Sequence, residues 1–297
     1  MSDAGAREPQ APPAEARRGQ PPRIDSRGVD APRAEALLEV AVEAATTAGA
    51  LLAERVRHGA EREVASKSTP TDLVSEADLA SERAIRELLA RRRPDDGFLG
   101  EEGDCTESAS GLSWVVDPLD GTVNFLFGIP QWCVSVAVRD ERGTVAGAIY
   151  DPNRDELFGA IRDGRATLAG SGETVELGPD RAAGAHGSDL ATAMVATGLA
   201  YDAAVRGAQG QVLARLVSRV RDIRRCGSAA LDLAWTAAGR FDAYFERTVK
   251  PWDIAAGTLL CEAAGLRVAE LPEREGLPWG ILVAPPALCE ELLALVG

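Results

Sequence analysis

Histidine is nearly missing from this chain: 297 residues hold only His58 and His186, so a zinc site would lack its usual imidazole ligands and their spacing. The five cysteines, Cys105, Cys133, Cys226, Cys261 and Cys289, form no Cys-x-x-Cys pair. Their odd, scattered distribution suits reduced, mostly buried thiols in a reducing compartment. No apolar run approaches the roughly 18 residues of a membrane span, and the N-terminus lacks the apolar segment of a secretory signal. A cytoplasmic chain with no membrane partner is the expectation. The Gly-x-x-x-x-Gly-Lys-Ser/Thr loop of nucleotide hydrolases is absent, as are EF-hand loop spacing and any internal repeat. Positive charge is scarce too: 32 Lys and Arg face 46 Asp and Glu, a net charge of −14. Such a field repels nucleic acid and anionic lipid, so divalent cations are the first partner to consider.

What is present is enough apolar sequence, 45% of the chain, to bury a sizeable core. Residues 1–30 are rich in Pro, Arg, Gln, Gly and Asp with hardly any large apolar side chain, which predicts a disordered extension. The folded part is then 31–297, read as a first half of about 31–185 and a second of about 186–297. Leu37, Leu38, Ala41, Val42, Ala45, Ala48, Leu51 and Leu52 recur at helical period, and a second helix is expected after Asp72, stopped by Pro94. Short apolar runs at 97–100, 112–116, 132–138 and 144–150 read as strands. Beyond them, 194–198, 241–245 and 279–283 read as strands, while 209–220, 228–238, 252–264 and the stretch from Pro286 read as helices. Strands and helices interleave without a regular βαβ beat, which favours a layered α/β or α+β sandwich over a barrel.

The densest chemistry lies in Trp114-Val115-Val116-Asp117-Pro118-Leu119-Asp120-Gly121-Thr122-Val123-Asn124-Phe125. An apolar strand delivers Asp117, Pro118 is expected to end its pairing, and Asp120 turns back toward the same point. Gly121 and Thr122 then open a short helix whose first amides have no partner within the helix, which suits an anion. Three more acidic stretches accompany it: Lys67 to Asp78, Gly100-Glu101-Glu102, and Trp252-Asp253. A lone Asp near a helix start is ordinarily a cap. Several carboxylates beside apolar sequence, with few basic residues near them, exceed what capping explains, and hard divalent ions resolve the conflict. Two metals about 3.5–4 Å apart suit in-line displacement at phosphorus. Leu119-Asp120-Gly121-Thr122 also resembles the haloacid dehalogenase signature. That signature needs a nucleophilic aspartate where this chain has Pro118, so attack by activated water is favoured over a phospho-aspartate.

These motifs, in this order, resemble the inositol monophosphatase family from about Ala34 to the C-terminus. Arg224-Arg225-Cys226-Gly227-Ser228-Ala229-Ala230 and Phe241-Asp242-Ala243-Tyr244-Phe245-Glu246 add to the likeness. The resemblance implies a layered αβαβα sandwich and a phosphomonoesterase using two or three Mg²⁺ ions, sensitive to lithium and homodimeric. By motif, Glu101, Asp117 and the Leu119 carbonyl would hold one metal, Asp117, Asp120 and Asp253 a second, and Glu101 with water a third. Thr122 with Asp78 would orient and deprotonate the attacking water. The Gly121 and Thr122 amides would take the phosphate. Asp120, Gly227, Ser228, Ala229, Glu246 and Asp253 would face a polyol, with Lys67 and Glu102 in support. Ser75 and Ser228 stand where Thr is common, Ala169 where the family commonly has Asn before Gly170, and Leu266 where it often has Gly; none removes a metal ligand.

The implied substrate is a small phosphorylated polyol, myo-inositol monophosphate first. Histidinol phosphate is the alternative, because its amine would suit acidic neighbours. A bisphosphate would call on Arg224, Arg225, Arg247 or Lys250, and a nucleotide on an aromatic platform. A different class remains, a regulatory protein that keeps the fold and has lost turnover.

Overall fold

The computed structural model describes residues 29–58, 64–66, 73–103, 105–182 and 189–297. Most of the N-terminal extension, Lys67, Asp72, His186 and the boundary between the expected halves lie outside the described residues. The chain opens with helix α1 (Ala31–His58), strands β1 (Val64–Ser66) and β2 (Leu73–Ser75), and helix α2 (Glu76–Arg92). Strands β3 (Gly97–Gly100) and β4 (Ser113–Asp120), then helix α3 (Thr122–Leu126), follow. Next comes a meander of β5 (Cys133–Asp140), β6 (Gly143–Asp151), β7 (Glu156–Ile161), β8 (Ala166–Gly170) and β9 (Glu173–Leu177), closed by α4 (Pro179–Ala182). The remainder holds β10 (Met194–Thr197), α5 (Ala203–Leu216), β11 (Asp222–Arg224), α6 (Ala229–Ala237) and β12 (Ala243–Arg247). It ends with α7 (Pro251–Ala263), β13 (Arg267–Leu271), β14 (Gly280–Ala284) and α8 (Pro286–Val296).

A seven-stranded sheet runs β3-β4-β5-β6-β7-β8-β9, antiparallel except for the parallel β3–β4 pair. A five-stranded sheet runs β11-β10-β12-β14-β13, with β10 parallel to both of its neighbours. Alternation along the strands sorts the side chains between two cores. Val134, Val136 and Val138 of β5 face α1 and α2, whereas Cys133 and Ala137 face the layer of α6 and α7. On the far side of the five-stranded sheet, Val212 and Leu216 of α5 join Leu288 and Leu292 of α8. The order is therefore helix pair, sheet, helix pair, sheet, helix pair, the αβαβα sandwich expected.

Helix α1 contains an 18-residue window of mean hydropathy 1.5, long and apolar enough by composition to cross a membrane, contrary to the reading that no such run exists. Its small and branched residues, Leu37, Ala41, Ala44, Ala45, Ala48 and Leu52, are instead buried against the sheet and α2, which accounts for them as core. Each fully buried leucine there contributes about 1.5–3 kcal/mol.

Two departures from the expected boundaries bear on the site. Helix α5 starts at Ala203 rather than 209, because Asp202 caps it by accepting from the Ala204 and Val205 N–H groups, both at 2.9 Å. Pro118 does not end the pairing of β4. Asp117 pairs with Ser135 and Asp120 with Cys133, so three steps on β4 oppose two on β5.

Candidate active site

That bulge is what builds the acidic end of the site. In an unbroken strand, residues three apart point to opposite faces. The extra residue on β4 cancels one step, so Asp117 and Asp120 share the face toward α6 and α7 while Leu119 joins the opposite core. The Pro118 carbonyl accepts from Ser81 Oγ at 2.6 Å, which compensates for lost sheet pairing. Gly121 then turns with φ of 98°, and a Cβ there would lie 2.9 Å from the Gln131 carbonyl oxygen, so both its conformation and its space require glycine. Thr122 opens α3 at this corner, and its hydroxyl donates to Asp78 Oδ1 at 2.8 Å. Asp78, on the first turn of α2, is fully buried.

Other elements bring their acids to the same place. Glu101 follows β3, and its corner is held by Glu82 of α2, which accepts from the Glu102 N–H at 3.0 Å and is paired with Arg86 at 2.9 Å. Asp120 lies across the start of α6: its carboxylate accepts from Ser228 Oγ at 2.6 Å, Ala230 N–H at 2.7 Å and Ala229 N–H at 3.3 Å. The positive end of that helix thus holds an aspartate. Asp253, near the start of α7, reaches back to accept from the Lys250 N–H at 2.6 Å, so capping and a place in the pocket coexist in one side chain.

Glu101, Asp117, Leu119, Asp120, Gly121, Thr122, Gly227, Ser228, Ala229, Glu246 and Asp253 all line one pocket of about 410 Å³. Asp78 stands behind Thr122, and Glu102 is near the corner without lining the cavity. The Ser228 hydroxyl and the Ala229 N–H, expected at a polyol, are directed at Asp120. Arg247 is buried and donates to the carbonyls of Pro272, Pro278 and Val296, so it is no anchor for a second phosphate. Arg224 pairs with Asp222 at 2.6 Å and lies outside the lining, whereas Arg225 and Lys250 belong to it.

The lining also includes the segment from Gly198 to Asp202, which sequence reasoning missed. Gln209 and Arg206 of α5 fix it: Gln209 accepts from the Ala200 N–H at 2.8 Å, and Arg206 donates to the Ala200 carbonyl at 2.9 Å. The Asp202 cap before an alanine-rich run was the available signal. Asn124, within the motif that opens α3, has a structural part of its own. Its side-chain amide donates to the Gln131 carbonyl at 2.7 Å and the Cys226 carbonyl at 2.8 Å, which ties α3 to the loop before α6.

The carboxylates repel one another. Burial pushes the Asp117 carboxyl well above the usual range, and the charges of Glu101, Asp120 and Asp253 push it further. Burial likewise raises Asp120 to about 6, against the opposing hydrogen bonds from Ser228 and Ala230. Asp253 is raised by burial and then by Asp120 and Glu101, although the Lys250 N–H pulls it back. Oxygen-rich, mutually repelling and water-accessible, this set fits a hard divalent cation, which would remove the repulsion that raises each group. Among the described residues, no three acidic, histidine or cysteine side chains close into a preformed ligand cluster. The fit therefore rests on the shared cavity and the donor chemistry.

The profile of the inositol monophosphatase family matches residues 33–296. An inositol-1-monophosphatase of Mycobacterium bovis is 43% identical over 237 residues, 78% of this chain and 80% of that protein. A protein of Pasteurella multocida called Nus factor SuhB is 38% identical over 261 residues, 86% of this chain and 94% of its own. Among solved structures, SuhB of Mycobacterium tuberculosis is 37% identical with a TM-score of 0.73, covering 88% of this chain and 96% of that one. The chain belongs to the inositol monophosphatase family.

Proposed function

We propose that this chain is a Mg²⁺-dependent phosphomonoesterase that hydrolyses myo-inositol monophosphate to inositol and phosphate. The observation that carries the reading is the convergence of Asp117 and Asp120 from β4, Glu101 after β3 and Asp253 from α7 on one cavity beside the Gly121–Thr122 turn. Glu101, Asp117, the Leu119 carbonyl, Asp120 and Asp253 would hold two or three Mg²⁺ ions, which when bound neutralise the phosphate and acidify water. The Gly121 and Thr122 N–H groups, at the open start of α3, take phosphate oxygens. Thr122 Oγ1, already donating to Asp78, accepts a proton from the attacking water and passes its own to Asp78. Glu246, across the cavity, accepts from a polyol hydroxyl. Arg225 and Lys250 add positive charge at the rim.

Phosphate release from myo-inositol 1-phosphate and histidinol phosphate, with Mg²⁺ and with chelator, tests the reading. Faster turnover of the inositol ester that disappears with chelator is expected; equal or faster turnover of histidinol phosphate overturns the substrate assignment. The name Nus factor borne by a relative supports a second, non-catalytic reading, which absence of turnover on every ester would favour. The family resemblance also supports a homodimer, which equilibrium sedimentation tests by giving twice the 31.2 kDa chain mass.

A further inference from the structure

Glu246 is seated by neighbours that the chemistry above does not use. Tyr244 lies two residues earlier on β12, so both side chains leave the same face of the strand. It is fully buried, and its hydroxyl donates to Glu246 Oε2 at 2.8 Å. Burial and the adjacent Glu246 charge push the phenol well above its ordinary value, so it keeps its proton and acts as donor. On the neighbouring strand, Gly198 follows β10, and a Cβ at that position would collide with the Glu246 carboxylate. A bare Cα is thus the wall against which Glu246 rests.

We propose that Tyr244 is a specificity-positioning residue: by occupying Oε2 and, with Gly198, fixing the rotamer, it leaves the other oxygen of Glu246 as a preset acceptor for a substrate hydroxyl. The inference rests on the reading of this cavity as a polyol-phosphate site. Tyr244 never meets the substrate, so it acts only through Glu246. An ester without hydroxyls, such as p-nitrophenyl phosphate, gains nothing from the device.

The test is steady-state hydrolysis of myo-inositol 1-phosphate and p-nitrophenyl phosphate by the full chain with Mg²⁺, for wild type, Y244F, E246A and the double variant. For Y244F, KM for the inositol ester is expected to rise roughly tenfold, about the worth of one hydrogen bond, with kcat little changed and the aryl ester unaffected. In the E246A background the same change is expected to have no further effect. Equal losses on both esters, an effect that persists without Glu246, or no effect at all overturns the inference. Should Y244F fail to fold, G198A is expected to give the same selective loss, and wild-type behaviour of G198A overturns the inference. A wild-type chain that hydrolyses neither ester, or does not prefer the inositol ester, sinks the site reading and this inference with it.

Discussion

Asp117 meets two opposing demands, since a buried carboxylate among three others costs stability unless a cation joins them. Replacing it with Asn removes charge but keeps shape. D117N is therefore expected to melt higher than wild type in chelator, while its Mg²⁺-dependent turnover falls by roughly 10²–10³-fold or more. A calorimetric scan paired with a phosphate-release assay checks both, and a variant that loses stability as well as activity contradicts the charge argument. Thr122→Ala removes the hydroxyl joined to Asp78 and is expected to lower kcat by about 10²–10⁴-fold with little change in KM. Glu246 offers a pH test. Burial raises its carboxyl from 4.5 to about 7 against the pull of Tyr244 and Arg225. A raised acid holds its proton more tightly in the folded state, so its contribution is full below about 4.5 and lost as pH rises through about 7. The melting temperature of E246Q, which cannot ionise, is expected to gain on wild type across that window; a constant difference contradicts the assignment.

Elements place these groups through close contacts that small residues permit. Gly147 of β6 faces α7, and a Cβ there would lie 2.9 Å from Ala256 Cα. Gly147→Val is expected to cost about 1–3 kcal/mol by overpacking and to displace α7, which carries Asp253. Urea denaturation measures the first effect, and a weakened Mg²⁺ requirement curve measures the second, although no pocket residue is altered. The acids are legible in the sequence because carboxylates beside apolar runs are conspicuous, α1 because its apolar residues recur at helical period, and α6 and α7 because their apolar runs are too long for strands. The bulge is not, since Pro118 reads equally as the end of a strand and as a kink within one, and only the partner register of Ser135 and Cys133 decides. Strands β7 to β9 are less legible because each is only five or six residues long, glycine interrupts β7 and ends β8, and β9 is mostly exposed. Gly198 and Tyr244 were silent for another reason: their meaning is the contact with Glu246, which arises from adjacent strands.

At the scale of the molecule, the two sheets and the α6–α7 layer between them bring residues 101, 120, 198, 228, 246 and 253 to one cavity. No single element contains a site. A ligand that bridges these parts stabilises all of them, by about 2.7 kcal/mol at a hundredfold excess over its dissociation constant. Mg²⁺ is thus expected to raise the melting temperature of wild type and to leave that of D117N nearly unchanged. The most direct measurement is an anomalous difference map from crystals soaked in Mn²⁺, a cation of the same charge and oxygen preference. Peaks bounded by Glu101, Asp117, Asp120 and Asp253 are predicted; a cavity without peaks while Mn²⁺ binds elsewhere on the chain would contradict the account.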